Sequence, residues 1–343
     1  MLSTEPIYLD ALTIRELGSD DRDQWNQFNQ SLPNSCFMQS WAWADFKQKE
    51  GYQTFRYGIF QQATLVGGGI FYFYPRSHQA NLLVAPGMPC FIPGFEVTGM
   101  NLLLEQAKQL VHSLGAIALR IEPLFLEKPA HLEKFVRAPV DLLPSETLLI
   151  NLRPDIKQIL ASMKPKGRYN IRISQRYHVV PEFTTDPQCI PKFYDLFWET
   201  VERQQFFGEP YGFFINLCQT LFAANMAEIG LATWQDEILA AILVVYWGDR
   251  ATYLYGGRSH LHPQVMASYG LHWAAIQRAK SRGCQVYDFY GYTQNPNHNY
   301  AKFSQFKRQF GGQAITTIGA HDYFFYDQLA DLLINTLKKL NHS

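Results

Sequence analysis

Between Asp155 and Glu182 the chain carries six cationic side chains, Lys157, Lys164, Lys166, Arg168, Arg172 and Arg176, and no acid. At about 100° per residue, Arg168, Arg172 and Arg176 fall within one helical stripe about 80° wide. Tyr169, Ile173 and Tyr177 form an adjacent apolar stripe, predicted to face the core. Like charges four residues apart repel by a few tenths of a kcal/mol, a cost that an anionic partner would offset. Arg suits such a partner because its planar guanidinium grips phosphate with two hydrogen bonds. The alternative is a plain solvated face. A second acid-free run, Phe289 to His321, carries Lys302, Lys307 and Arg308. Both runs lie in the second half, which brings a local polyanion site level with the plain solvated face.

Positioning these groups requires a substantial fold. The 343 residues are comfortable for two domains, and 47% apolar and 15% aromatic content exclude a disordered chain. Thirty Lys+Arg against thirty Asp+Glu leave no global pull toward nucleic acid or membrane, so any polyanion site must be local. The five cysteines, Cys36, Cys90, Cys189, Cys218 and Cys284, are scattered and never spaced as CxxC. Free thiols in a reducing compartment are expected, and no metal. No signal-peptide pattern opens the chain, and the strongest apolar run, Ile238 to Trp247, is about half a membrane span. A cytoplasmic protein and a buried strand at 238–247 are the expectation.

An internal repeat sets the organisation. Residues 57–75 and 229–247 each read as a β-hairpin, turning at Gln61-Gln62 and at Gln235-Asp236-Glu237. Each is followed by a further strand, then by an amphipathic helix (102–114 and 271–282) that ends at Gly115 or Gly283 and leads into another strand. The same α/β unit therefore occurs twice. The tail, 322–340, is predicted to be an amphipathic helix.

The stretches "FMQSWAWADFK" (37–47), "KGRYNIRISQRYHV" (166–179), "ATYLYGGRS" (251–259), "AKSRGCQVYDFYG" (279–291) and "FKRQFGG" (306–312) occur in this order and spacing. Together they resemble the FemABX family of non-ribosomal peptidyltransferases, and the likeness spans almost the whole chain. The resemblance implies an α/β (α+β) fold of two tandem GNAT-like acyltransferase domains. The first would take residues 1–149 plus 318–343, with the C-terminal helix packing back on it as the acceptor side. The second would take 150–317 as the aminoacyl-tRNA side. It also implies transfer of an amino acid from aminoacyl-tRNA to the stem-peptide amine of a peptidoglycan precursor, driven by the tRNA ester without a cofactor. Some members carry a coiled-coil arm that this chain lacks, so it resembles the armless branch. A monomer with peripheral membrane association completes the expectation.

The chemistry needs a neutral amine, aligned partners and a stabilised oxyanion. By resemblance, Lys307 and Phe306 are the catalytic pair, Lys307 as cation and Phe306 through its backbone. Lys47 matches a lysine that binds a diphosphate, with Trp41, Trp43 and Phe46 beside it read as core. Tyr253 and Tyr255 match channel-lining tyrosines, and their alternation about Leu254 predicts one shared strand face. Glu122 matches an acidic position and would hold the acceptor amine or pair with Lys307. Asp288, at the equivalent second-half position, has a structural role as its alternative. Arg168, Arg172 and Arg176 would contact the tRNA backbone. The segment "GEPYGFF" departs from the armless pattern, with Glu209 in place of an Arg before Pro210 and Phe213 in place of a Tyr. That charge reversal counts against a nucleotide-linked acceptor and leaves a lipid-linked precursor, or one outside peptidoglycan.

Two other readings compete. An acetyl-CoA N-acyltransferase needs an R/Q-x-x-G-x-G/A loop, and the nearest match, Arg308 to Gln313, ends on Gln where a small residue belongs. A non-catalytic RNA-binding protein is disfavoured by the neutral charge and the lack of a known RNA-binding motif.

Overall fold

The computed structural model describes residues 12–75, 81–298 and 300–325. Along them the chain runs β1 (Leu12–Glu16), α1 (Arg22–Ser31), α2 (Trp41–Lys49), β2 (Gln53–Gln61), β3 (Thr64–Phe73), β4 (Leu82–Pro86), β5 (Cys90–Phe91), α3 (Glu96–Leu114), β6 (Ala118–Glu122) and β7 (Val136–Arg137). It continues through β8 (Glu146–Asn151), α4 (Ile156–Ser162), α5 (Pro165–Arg176), β9 (Val180–Thr184), α6 (Ile190–Gln204), α7 (Tyr211–Ala223), β10 (Ala227–Trp234) and β11 (Glu237–Trp247). Last come β12 (Arg250–Arg258), α8 (Ala267–Ser281), β13 (Val286–Asp288), α9 (Ala301–Lys307), β14 (Gln313–Thr316) and β15 (His321–Tyr323).

Two compact units result. One takes the chain up to Leu142 and again from Ile318; the other runs from Leu143 to Thr317. The first sheet is ordered β1-β2-β3-β4-β6-β15-β7, with β5 beside β3, and the second β14-β8-β13-β12-β11-β10-β9. Read from opposite ends, the two orders match place for place. The hairpin β2–β3 corresponds to β10–β11, and a parallel pair joined by a crossover helix comes next in each, β4–α3–β6 and β12–α8–β13. A helix between parallel strands is what the connection requires, because the chain must return to the same edge before pairing.

Local chemistry explains these elements. In the second hairpin Gln235 and Asp236 both have positive φ, as a two-residue turn with the right twist demands. Helix α3 closes on Gly115 in the left-handed conformation (φ +62°), and Gly283 (φ +86°) comes after α8. Strand β11 is buried from Leu239 to Trp247 and carries the middle of the second core. Near-continuous burial suits a strand covered on both faces.

Three expectations change. The division proposed at 149/150 would cut β8, which pairs along its length with β13 and β14 in the second sheet. The tail expected as a helix from 322 begins as β15, antiparallel to β6, and residues 326–343 lie outside the described ones. Helix α5 buries Gly167, Asn170, Ile171 and Ser174, while Tyr169 and Tyr177 are exposed. A Cβ on Gly167 would stand 2.2 Å from the Gln309 carbonyl oxygen. The small-residue face of α5 therefore packs closest, and the aromatic stripe is turned outward.

Candidate active site

Strands β12 and β13 pair in parallel only at Arg250–Val286, Ala251–Tyr287 and Thr252–Asp288, whereas β12 continues to Arg258. Beyond Thr252 the two strands part. A bulge on β12 falls at the same place: Tyr253 opposes Val244 and Tyr255 opposes Leu243, so Leu254 is an extra residue. One added residue inverts the facing of the strand beyond it. Tyr253 accordingly packs on His272 (ring centroids 4.5 Å apart) and Phe289, and Tyr255 on Phe197, Phe213 and Phe214 of α6 and α7. The expectation that both rings share one strand face is thus corrected. Phe213 is buried against Tyr255.

Over Tyr253 lies a cavity of about 420 Å³, lined by the end of α6, β12, the turn into α8, the start of α8, and α9. Gly257 sits in its wall, where a Cβ would be 2.1 Å from the Leu196 carbonyl oxygen. Gly257 therefore lets α6 approach β12, while Gly256 leaves room for the Tyr253 side chain, whose hydroxyl oxygen is 2.7 Å from where a Cβ would stand. The turn between β12 and α8, Leu261 to Met266, contains no glycine and places His262 and Met266 at positive φ. This is where a strand-to-helix anion loop would lie. The Arg308–Gln313 match to such a loop lies elsewhere, between α9 and β14.

Phe306 and His272 line the cavity, and Lys307 lies next along α9. Lys307 is buried, and its Nζ donates to the carbonyls of Gly291 (2.6 Å) and Tyr290. Those carbonyls are presented by a bend in which Tyr290 (φ +44°) and Gly291 (φ +60°) are both left-handed, a costly conformation for a tyrosine. Asp288 shapes the bend, its carboxylate accepting from the Tyr290 amide (2.8 Å), from Arg250 (2.9 Å) and from the Thr147 hydroxyl. Asp288 is therefore a structural hub. An ammonium has three protons, and two are engaged by the carbonyls. The Tyr253 ring centroid is 5.5 Å from Nζ. Burial pushes the Lys307 pKa down to about 7, opposed by the Asp288 charge. His272, with Nδ1 3.2 Å from the Tyr287 hydroxyl, is driven down to about 3 by burial and then by the Lys307 charge, so it is neutral at ordinary pH.

The other residues singled out in the sequence occupy varied settings. Phe306 contributes its ring, packed on Tyr269 and His272. It lies inside α9, where an amide is committed to the carbonyl four residues back, so the expected backbone role meets an occupied N–H. Lys47, half-buried on α2, has its ammonium 3.9 Å from the Tyr52 ring centroid, and Trp41, Trp43 and Phe46 are core. Glu122 ends β6, buried, and accepts from the Leu142 amide (3.1 Å). Lys47 and Glu122 belong to the first unit, Lys307, Phe306, Tyr253 and Tyr255 to the second. Arg172 and Arg176 are exposed, whereas Arg168 is half-buried and donates to the carbonyls of Ala161 (3.1 Å) and Met163, closing the end of α4.

Several cavity groups had no signal in the sequence. His272 reads as one more residue of an amphipathic helix. Arg203 and Gln204 end α6, and their Nε and Oε1 are buried without a hydrogen-bond partner. Among the described residues no cluster of three or more potential metal ligands occurs, and no helix is long and apolar enough to cross a membrane.

Two sheets of one strand order, the second with parallel strands parting over a cavity, define a tandem GNAT-like fold. Residues 165–308 match the acetyltransferase (GNAT) domain model. The structure is similar to a crystal structure of FemX (TM-score 0.83, 17% identity, covering 93% of this chain and 99% of that one). It is also similar to a tandem GNAT protein from the clavulanic acid biosynthesis pathway (TM-score 0.55, 11% identity, covering 91% and 98%). Among curated proteins it is similar to the lipid II:glycine glycyltransferase of Staphylococcus aureus, 20% identical over 89% of this chain and 92% of the relative. Over most of its length the chain is thus similar to acyltransferases of the FemABX type.

Proposed function

We propose that the chain transfers an amino acid from aminoacyl-tRNA to the stem-peptide amine of a peptidoglycan precursor in cell-wall biogenesis. The observation that carries this reading is the buried Lys307 side chain, its Nζ 5.5 Å from the ring of Tyr253, which lines the cavity where the parallel strands part. The neutral amine attacks the ester carbonyl, forming the C–N bond. The C–O bond to the ribose breaks, and the amine proton passes to the departing ribose oxygen. Negative charge builds on the carbonyl oxygen in between. The Lys307 proton not held by the two carbonyls is the donor for that charge, and in a site shielded from water such a donor contributes about 10²–10³ in rate. Tyr253 and the Phe306 ring wall the acyl group, with Tyr255 supporting β12 from the opposite face. In the first unit, Lys47 and Glu122 are read as contacts for the acceptor. Arg172 and Arg176 offer charge to the tRNA backbone, and Arg168 stiffens the helix that carries them.

The curated relative is named for lipid II, and Glu209 stands where a nucleotide-linked acceptor would call for a cation. A lipid-linked acceptor is therefore preferred, and with it peripheral contact with a cytoplasmic membrane face. An acetyl-CoA-dependent reaction is the rival, supported by the GNAT domain match and weakened by the glycine-free turn before α8.

The test is incubation with a mixed aminoacyl-tRNA pool, or with acetyl-CoA, and lipid-linked or nucleotide-linked pentapeptide, read by mass spectrometry. An amino-acid mass increment on the lipid-linked pentapeptide is expected. An increment only with acetyl-CoA, or none on either acceptor, sinks the proposal.

A further inference from the structure

Lys307 is held by a bend, and the bend is held by one carboxylate. Its Nζ donates to the carbonyls of Tyr290 and Gly291, two residues that are both left-handed (φ +44° and +60°). A tyrosine persists in that conformation only where its surroundings enforce it. Here the enforcing group is the Asp288 carboxylate. One of its oxygens accepts from the Tyr290 amide (2.8 Å) and the Thr147 hydroxyl, the other from Arg250 (2.9 Å).

The charges around Lys307 single out the same residue. Burial pushes the phenols of Tyr253 on β12, Tyr287 on β13 and Tyr269 on α8 upward, so all three are neutral. His272 on α8 is neutral because burial, and then the Lys307 charge, push it down. Arg308, next along the chain, turns to the Tyr292 hydroxyl (3.1 Å). Arg250 reaches Asp288 from a partly exposed position. Burial works against the Lys307 ammonium, and Asp288 is the charge that opposes it.

We propose that Asp288 is the positioning residue for Lys307: through the Tyr290 amide it fixes the carbonyls that aim the ammonium, and its charge sustains that ammonium inside the core. Arg250 tempers the charge, so the Arg250–Asp288 pair sets the pH range over which Lys307 can donate. This rests on the role proposed above for Lys307 and names what governs it.

The probe is the ¹³Cε NMR signal of Lys307 in the full chain, assigned by its loss in Lys307→Met and followed with pH. The wild-type midpoint is expected at about 7. Asp288→Asn keeps an oxygen for the Tyr290 amide and removes the charge, so the midpoint should fall by about one pH unit. Arg250→Gln leaves the carboxylate untempered, so the midpoint should rise. A carboxylate that only braced the fold would not move it in opposite directions. In Asp288→Asn, kcat for transfer at about pH 7 should drop about fivefold with KM near wild type, and the ratio to wild type should recover as pH falls. Thermal unfolding verifies each fold. If Asp288→Asn does not fold, Arg250→Gln decides. Folded variants with the wild-type midpoint, or midpoints that move the same way in both, overturn the proposal. Midpoints that move as expected under an unmoved transfer profile remove Lys307 from the proposed chemistry and leave the hold of Asp288 on it standing. Unmoved midpoints, with transfer still lost in Lys307→Met, do the reverse.

Discussion

The two units share a strand order and differ where it matters for chemistry. In the first, β4 and β6 stay paired over five positions, from Leu82–Ala118 to Pro86–Glu122. In the second, the equivalent pair stops after three, a bulge comes at once, and a cavity opens. The crossover helices differ as well. Helix α3 has Glu96 in its first turn, reaching back to the Gly94 amide (2.8 Å), so it meets its own positive end with its own carboxylate. Helix α8 has no acid in its first turn, and its start lines the cavity among cationic side chains. A repeat can therefore keep its strand order in both copies while the parallel pair runs on in one and stops short in the other. The copy with the longer pairing is fastened by Arg120 of β6 and Asp322 of β15, both buried and joined by two hydrogen bonds of 2.7 and 2.8 Å. In the other copy the comparable ion pair, Arg250–Asp288, shapes the bend that holds Lys307.

The largest expected effect tests the fastening. Asp322→Ala leaves a buried guanidinium unpaired and should cost about 3–5 kcal/mol in chemical denaturation. A loss under about 1 kcal/mol would show that β15 is dispensable to the first unit. Next is Lys307→Met, expected to reduce single-turnover transfer by about 10²–10³ with the circular dichroism unchanged. An unaltered rate would remove Lys307 from the mechanism.

The same residue predicts a pH dependence with a definite sign. Its folded pKa, about 7, lies below the ordinary 10.5. The unfolded chain thus holds a proton between those values that the folded chain has lost, so stability from this group rises with pH across that window. Transfer needs the ammonium and should fall as pH rises through about 7. Relative to Lys307→Met, wild-type Tm should increase from pH 7 to 10. A flat difference would mean that the lysine stays charged throughout.

Smaller effects compare glycines. Gly257→Ala meets the Leu196 carbonyl oxygen at 2.1 Å and should cost about 2 kcal/mol or more, while Gly115→Ala has open space and only a positive φ against it, about 1 kcal/mol. Equal losses in denaturant midpoints would undo the claim that α6 must approach β12 so closely. Smallest of all, Glu96→Gln should cost a few tenths of a kcal/mol, in keeping with an exposed helix-end charge.

Much of the architecture was legible because it depends on short-range pattern. The hairpins at Gln62 and at Gln235-Asp236, the helix ends at Gly115 and Gly283, and the buried run in β11 all come from turn chemistry and periodicity. The resemblance rested on stretches that the fold spreads over both units, from Lys47 to Lys307. The site was legible only in part. Tyr253 and Tyr255 were assigned a common face, since alternation carries no sign of a bulge. Tyr169 and Tyr177 were assigned to the core, since hydrophobicity alone does not register that Gly167 and Ser174 permit closer packing.

By itself, the sequence determined the doubled α/β unit, most elements in each copy and the likeness to an acyltransferase family, because propensity, turn residues and motif order are written in neighbouring positions. The tertiary structure alone decided where the parallel pair stops in each copy, which face of α5 looks outward, and that His272, Arg203 and Gln204 meet around one cavity. Those outcomes depend on strand register, on how closely backbones approach, and on desolvation by residues distant along the chain. None of these is a local property of the residues concerned.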